Sequence, residues 1–578
     1  MENENQAVTS QRLREFTALL QKYKTGKASL ERRVIAAENW WRLRNRFEEG
    51  KQGLEDDGGF RSTSGWLHNV IVTKHADAMD AYPEPVILPR EPDDTAGASL
   101  LSAVIPCVLE QNRFEKTYDH AMWQKLKTGT AVYRITWDRE KLGGLGDISI
   151  ERVDLLNLFW EPGISDIQDS PCFFCTHLEN SEELAEIYPQ LRGQTKSSAF
   201  KATSFVYEDA VDTQNKTTVI EVYYKKRIAG RQVLHYCKYA GDTVLEATED
   251  SPDERVRMEG LYAHGKYPFV FDALFPVEGS PCGYGFVDLC HNAQTSIDIM
   301  RTAFLKNTMV GAIPRYFQRI DGSVNEEEFV DLTKPIVHVS GNLGEDSLRQ
   351  IGFSGLPGVY MNVLESTIRE LRETTGNTET ATGTVNSGVT AASAIAALQE
   401  ASGKGSRDAT RASYVAYAEL VELCIELIRQ FYTLPRQFRI SGRMGEEEFV
   451  SFSNSMLQPR PIIDPWGQEL GFCEPIFDVK VSAQKRNAYS RLSQNELAME
   501  LYRMGIFERG REKQAMSCLE LMDFDGKDSL LRSLSKELRE REQEALALRL
   551  GIENALAAPM PTARQQAQDI PAPPAHLP

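Results

Sequence analysis

Hydrophobic positions along the chain change period several times, and the changes divide it. Leu13, Phe16, Leu19 and Leu20 recur at helical spacing, so residues 10–50 read as helical. Ser29 is placed to cap a second helix, which carries Trp40, Trp41, Leu43 and Phe47. Residues 64–82 and 95–127 read as further helices, and the four prolines between Tyr82 and Pro92 force an extended crossing. The period then falls to two. Ala131–Asp138 and Asp147–Val153 read as a hairpin closed by a glycine turn. Thr218–Tyr224 and Val233–Tyr239 read as another, so residues 60–275 form a mixed α+β unit.

Beyond Gly283 the period returns to 3.6. Val287, Cys290, Ile297, Met300 and Phe304 predict one long helix to about residue 310. A short insert of strand character follows, with Ile313–Phe317 and Pro335–Val339. Helix resumes over 357–374 on a stripe of Met361, Leu364, Ile368 and Leu371. Thr374–Thr390 is rich in Thr, Ser, Asn and Gly and reads as a flexible loop. A third long helix is expected over 391–433, with Gly403 and Gly405 kinking or loosening it. Strands and turns follow over 436–485, then helix over 486–550. The proline-rich tail from Ala558 reads as disordered.

Composition narrows the function classes. Hydrophobic residues at 41% and charged residues at 26% exclude wholesale disorder. A net charge of -18 argues against a protein that coats DNA by neutralising phosphates. Nine cysteines without framework spacing suggest free, mostly buried thiols in a reducing compartment. The N-terminus lacks a secretory pattern, and the densest apolar stretch, Leu100–Leu109, is too short to span a bilayer. A soluble intracellular protein without membrane contact is expected.

Motif chemistry is sparse. The phosphate cradle G-x-x-x-x-G-K-[ST] does not occur; Ser402–Ser406 lacks its opening glycine. Gly143–Gly146 joins two strands and reads as a hairpin turn rather than a dinucleotide site. Cys172, Cys175 and His177 have zinc-like spacing but lack a fourth ligand, and buried strand cysteines are the preferred reading. HExxH and GxSxG are missing, and Asp523–Gly526 has its glycine at the wrong offset for a calcium loop. No enzyme activity and no cofactor are expected.

The order of elements is distinctive: α+β body, long helix, small β insert, long helix, polar loop, very long helix, strands, terminal helices. Asn69–His75, Gly129–Asp138, Gly146–Asp154, Phe159–Gly163, Gly283–Leu289 with Gln294 and Asp298, and Ser387–Ala401 stand along it in sequence. In these features the chain resembles a bacteriophage portal protein, the head-to-tail connector. The resemblance implies a portal-type α+β fold. It divides the chain into an N-terminal helical segment (1–60), a wing (61–283), a first stem helix (284–310) and a clip (311–355). A second stem helix (356–374), a tunnel loop (375–390) and a long wing helix (391–435) follow. Wing strands (436–485), a helical crown (486–550) and a tail (551–578) complete it.

The resemblance also implies a ring, a dodecamer, at a capsid vertex of the virion, assembled in the bacterial host cytoplasm. Its partners would be double-stranded DNA in the channel, the terminase large subunit, the major capsid protein and a head-tail adaptor protein. Thr378, Glu379, Thr380, Thr382, Thr384 and Asn386 would line the tunnel loop, where short polar side chains offer phosphate only weak contacts. Arg315, Arg319, Glu326, Glu327 and Glu328 would lie on the clip and meet terminase. Lys404, Arg407 and Arg411, three and four positions apart, share one helix face and would face a neighbouring subunit or DNA. On the residues alone, two other classes stay open: a virion structural protein that forms no ring, and an enzyme with an unrecognised site.

Overall fold

The computed structural model describes residues 8–43, 63–192, 215–228, 230–312, 316–318, 325–331, 336–341, 348–350, 355, 357–377, 404–441, 447–463, 469–485, 499–500, 503–505, 516, 530 and 533. The chain divides into two units, Met1–Ile440 with Glu447–Gln484 and Ser441–Glu446 with Lys485–Pro578. In the second unit only residues 441, 485, 499–500, 503–505, 516, 530 and 533 are described, so the expected crown and tail lie almost wholly outside the described residues.

The first unit opens with α1 (Ser10–Trp41), one continuous helix. Ser29 lies in its middle and caps nothing, which corrects the expected break there. Two tertiary contacts carry the helix through. Leu13, Phe16, Leu20 and Tyr23 pack on a sheet with Phe174, Val222 and Tyr239. The buried Lys27 ammonium donates to the carbonyls of Leu155 and Leu158, the latter at 2.6 Å, over the Phe159 ring. Next come α2 (Trp66–Asp80) and β1 (Ala81–Pro89). The proline crossing is thus a strand, and β1 lies in a two-stranded sheet, where prolines can turn their missing donors outward.

The expected helix over 95–127 is two, α3 (Thr95–Gln111) and α4 (Phe114–Thr128). Arg113 between them takes a left-handed φ of 50°, which interrupts the helix, and both pieces contribute to the core. β2 (Thr130–Asp138) and β3 (Asp147–Val153) form the first expected hairpin. β4 (Leu158–Phe159), β5 (Cys172–Asn180), α5 (Ser181–Ile187), β6 (Lys216–Ile228), β7 (Arg231–Ala240) and β8 (Thr243–Ala247) follow. The strands β4 to β8 form one antiparallel sheet in sequence order, with β6 and β7 as the second expected hairpin. After α6 (Glu254–Glu259), β9 (Phe269–Ala273) returns to the other edge of β2, giving the order β3-β2-β9.

β10 (Phe275–Val277) and β11 (Ser280–Tyr284) lead into the long α7 (Phe286–Ala312). Then come β12 (Tyr316–Gln318), α8 (Glu326–Val330), β13 (Leu348–Gln350), α9 (Val359–Thr375) and α10 (Lys404–Phe431). The unit closes with β14 (Arg436–Ser441), β15 (Glu447–Phe452), β16 (Arg460–Ile463), β17 (Glu469–Cys473) and β18 (Phe477–Lys485). β18 pairs with β1, and β14 with β15 and β16 with β17 make small hairpins. The fold class is α+β, with helices and several small sheets as expected. The main core gathers α3, α4, the β3-β2-β9 sheet and the inner face of α10, including Leu101, Ile105, Phe114, Val132, Ile135, Leu420, Cys424 and Ile428.

Candidate functional site

The helices α7 and α9 pack against each other, and β12 and β13, which lie between them in the chain, pair antiparallel. Their base is set by glycines. The turn after α4 places Gly129 at φ +88°, and a Cβ there would stand 2.3 Å from the backbone carbon of Tyr284. A Cβ on Gly285 would lie 2.5 Å from the Lys127 carbonyl oxygen. The Gly129 and Gly283–Gly285 stretches, far apart in sequence, are therefore one backbone crossing, pinned by Gly283 N donating to Thr130 Oγ1 at 2.9 Å.

Two turns up α7, Gln294 and Asp298 are buried and bind the chain entering α2. Ser64 donates from its backbone N and its hydroxyl to Asp298 Oδ1 at 2.9 and 2.5 Å. Gln294 Nε2 donates to Ser64 O and to Asp298 Oδ2, and its Oε1 accepts from Leu67 N. The Arg372 guanidinium of α9 lies over the Trp66 ring. Cys290, Ile297 and Leu371 are buried between the helices, with Leu364 and Ile368 partly buried beside them. Met361, expected on the same stripe, is 46% exposed, because it lies beyond that cluster. Ile299 and Met309 of α7 and Val359, Tyr360 and Val363 of α9 are also exposed.

At the far end, Tyr316, Phe317 and Gln318 pair with Gln350, Arg349 and Leu348. Asn325 caps α8 by accepting from Glu328 N, and the Tyr316 ring meets Phe329 edge-on. Of the expected contact residues here, Glu326 and Glu327 are exposed. Glu328 is not a free surface charge: its Oε2 accepts from His338 N at 2.8 Å and lies 2.7 Å from His338 Nδ1. Arg315 and Arg319 lie outside the described residues.

The long helix α10 is anchored by two polar clusters that its sequence did not signal. Lys74 Nζ donates to Ser406 Oγ, which donates to Asp77, both at 2.8 Å. Two turns further on, Lys125 donates to Asp272 at 2.5 Å and to Ser413 at 2.6 Å, with both charged side chains 1% exposed. Arg407 and Arg411 point away from these clusters and are exposed; Lys404 opens the helix. Gly405 lies within the helix, where a kink or loosening was expected; Gly403 lies outside the described residues. So do Thr378, Glu379, Thr380, Thr382, Thr384 and Asn386; of the expected 375–390 loop only residues 375–377 are described, and Thr375 belongs to α9.

Cys172, Cys175 and His177 lie on β5. Cys175 is buried, and His177 Nε2 meets the Glu221 carboxylate at 3.1 Å, with Arg134 on the other oxygen at 2.8 Å. Burial opposes protonation of His177, but Cys175 and Glu221 outweigh it and raise its pKa to about 10. Burial likewise pushes Glu221 up, and His177 and Arg134 outweigh it, holding the carboxyl at about 2. Among the described residues no group of three or more His, Cys, Asp and Glu side chains could hold a metal ion, and no helix is long and apolar enough to cross a membrane.

The described residues thus combine an α+β body, a helix pair with a small β-containing insert between its members in the chain, and a further long helix. The family model for phage P22-like portal proteins matches residues 76–575. The chain belongs to that family. No curated protein matches it.

Proposed function

We propose that copies of this chain close into a ring, a dodecamer, at one capsid vertex. Double-stranded DNA enters through its channel, driven by the terminase, and later leaves by the same path into the tail. The ring also serves as the attachment site for the head-tail adaptor protein and is held in the shell by the major capsid protein. Hydrolysis of ATP belongs to the terminase, and the portal itself needs neither catalysis nor a cofactor.

The observation that carries this reading, beside the family match, is the apolar surface left on the helix pair. Ile299, Val359, Tyr360, Met361 and Val363 are between 46% and 67% exposed in a single chain. Apolar residues concentrated on two narrow helices call for a partner surface. A heterologous contact that closes on itself supplies it in every copy. The acidic chain would discourage tight binding of the passing DNA.

Within this reading the clip, with Glu326 and Glu327 at its surface, docks terminase. The tunnel loop, from Thr378 to Asn386, meets DNA through short polar side chains. Native mass spectrometry and negative-stain microscopy of the purified chain test the ring. Closed rings with a central hole are expected, and a strictly monomeric chain at micromolar concentration, with no rings in assembled heads, would overturn it.

A further inference from the structure

Against the middle of α1 lies a cavity of about 270 Å³, walled by the chain after β4 at Trp160, Pro162 and Gly163 and by the β10–β11 turn at Val277 and Gly279. No Asp or Glu lines it, while Lys27 and Arg33 do, together with Tyr23, Ser29 and Ser280. That is unusual in a chain with 83 acidic residues against 65 basic ones. The cavity beside Lys127 includes Glu38 and Asp154, and the cleft beside Lys266 includes Asp166, Glu419 and Glu422.

Neither cation has a carboxylate in hydrogen-bonding contact. Lys27 is 7% exposed, and its ammonium donates to the carbonyls of Leu155 and Leu158 between the rings of Phe159 and Trp160. Two carbonyls leave it a third N–H. Burial lowers its pKa to about 8, although Glu31, Cys282, Asp154 and Cys175 pull the other way. An anion beside it would restore what burial removes. Arg33 Nη2 donates to Gly283 O at 2.6 Å, and Nε lies 3.8 Å from Asp288 Oδ2, an oxygen that accepts from Gly285 N. That Nε is buried and makes no hydrogen bond. Tyr23 is 1% exposed, and its hydroxyl, beside Ser170, has no partner in hydrogen-bonding geometry.

We propose that this cavity binds a small phosphate monoester, with the phosphate at Lys27 and Arg33 and the organic group against Leu30, Pro162 and Val277. Two cations without a competing acid select an anion over a cation or a neutral molecule. The planar fork of Arg33 and the compact charge of Lys27 suit phosphate oxygens. Ser29 and Ser280 add hydroxyl donors to the wall. Small-molecule pockets run from about 300 Å³ upward. The cavity stands at that small end, which suits a monoester with a short organic group. All the lining residues belong to one chain, so the inference is independent of the ring reading.

Binding is read on the full chain at fixed ionic strength, by equilibrium dialysis of labelled inorganic phosphate and by phosphorus NMR of phenyl phosphate. One saturable site per chain is expected, with phenyl phosphate the tighter ligand. Lys27→Met and Arg33→Gln should each weaken it about tenfold or more, as for loss of a hydrogen bond to a charged group. Should the buried Lys27→Met fold poorly, Gly279→Asp carries the test. Gly279 has φ +72° and nothing within 4 Å of its Cβ position, a setting that Asp and Asn tolerate. Gly279→Asp should weaken binding about tenfold by setting a like charge at the wall. Gly279→Asn, of the same shape, should stay within about twofold. Duplex DNA at equal phosphate concentration should not displace the ligand, because Lys27 lies too deep for a duplex backbone. The site is overturned by the lack of saturable binding up to about 10 mM, by binding that Arg33→Gln and Gly279→Asp leave unchanged, by equal losses in the Asp and Asn variants, or by displacement with DNA.

Discussion

Gly285 passes Gly129 so closely that a Cβ on Gly285 would stand 2.8 Å from the Gly129 backbone nitrogen. The crossing fixes where α7 leaves the body, so the direction of the helix pair is set by two residues without side chains. Gly129→Ala should cost roughly 3 kcal/mol or more, from a left-handed φ and a backbone clash together. Gly163 offers a control, since it has φ +87° but nothing within 4 Å of its Cβ position. Gly163→Ala should cost only about 1 kcal/mol. Urea midpoints and soluble yield of the two variants measure the difference, and equal effects would refute a crossing that demands glycine.

Asp298 accepts hydrogen bonds in a buried setting from Ser64 N, Ser64 Oγ and Gln294 Nε2. Asp298→Ala removes a charged acceptor and leaves Ser64 N without it. A loss of about 2–4 kcal/mol is expected, as for buried hydrogen bonds to a charged group. Gln294→Ala should lose a similar amount, and the double variant less than the sum, because the two side chains share partners. Chemical denaturation of the four proteins reads the coupling.

The His177–Glu221 pair predicts a pH window. His177 has its folded pKa raised from 6.5 to about 10, so its contribution is complete below pH 6.5 and fades as pH climbs towards 10. Glu221 has its folded pKa lowered from 4.5 to about 2, so its contribution is complete above pH 4.5 and is lost as pH falls towards 2. Both are fully present only between pH 4.5 and 6.5. His177→Gln should flatten the decline of stability between pH 6.5 and 10, followed by urea midpoints across the range. An unchanged slope would show that the pair does not govern it.

In the segment proposed as the clip, Glu326 and Glu327 should separate from Glu328. Glu326→Lys with Glu327→Lys should weaken terminase binding in a pull-down and leave the fold intact. Glu328→Lys should instead disorder the segment, since it removes the acceptor for His338 N. Amide exchange around His338 distinguishes the two. Terminase binding unchanged by the double variant would remove these residues as contacts.

Deleting Asn377–Asn386 should leave assembly intact and impair DNA packaging or retention, measured as genome content of the heads. Full-length genomes at normal yield would make the loop a connector only.

Much of this protein is legible in its periodicities. The alternation in Ala131–Asp138 and Asp147–Val153 and the helical stripes through Val287–Ile297 and Leu364–Leu371 reappear as β2, β3, α7 and α9, because burial of one face selects a period wherever a core lies beside it. The helix pair with its insert, and the family itself, follow from the order of such segments. Boundaries fared worse. Ser29 is a good cap in isolation but lies mid-helix, since the buried Lys27 and the packed sheet hold the helix through it. Arg113 breaks the expected 95–127 helix by a backbone conformation its residue type does not announce.

What only the tertiary structure decided are the contacts between distant residues. Lys125 with Asp272, Lys74 with Ser406, His177 with Glu221 and Glu328 with His338 have no spacing signature, because their partners come from separate strands, helices or loops. Gly129 and Gly285 read as unrelated turns until the backbone brings them together. Lys404, Arg407 and Arg411 were visible at helical spacing, but which side of α10 faces outward was decided by its packing on the body of the protein.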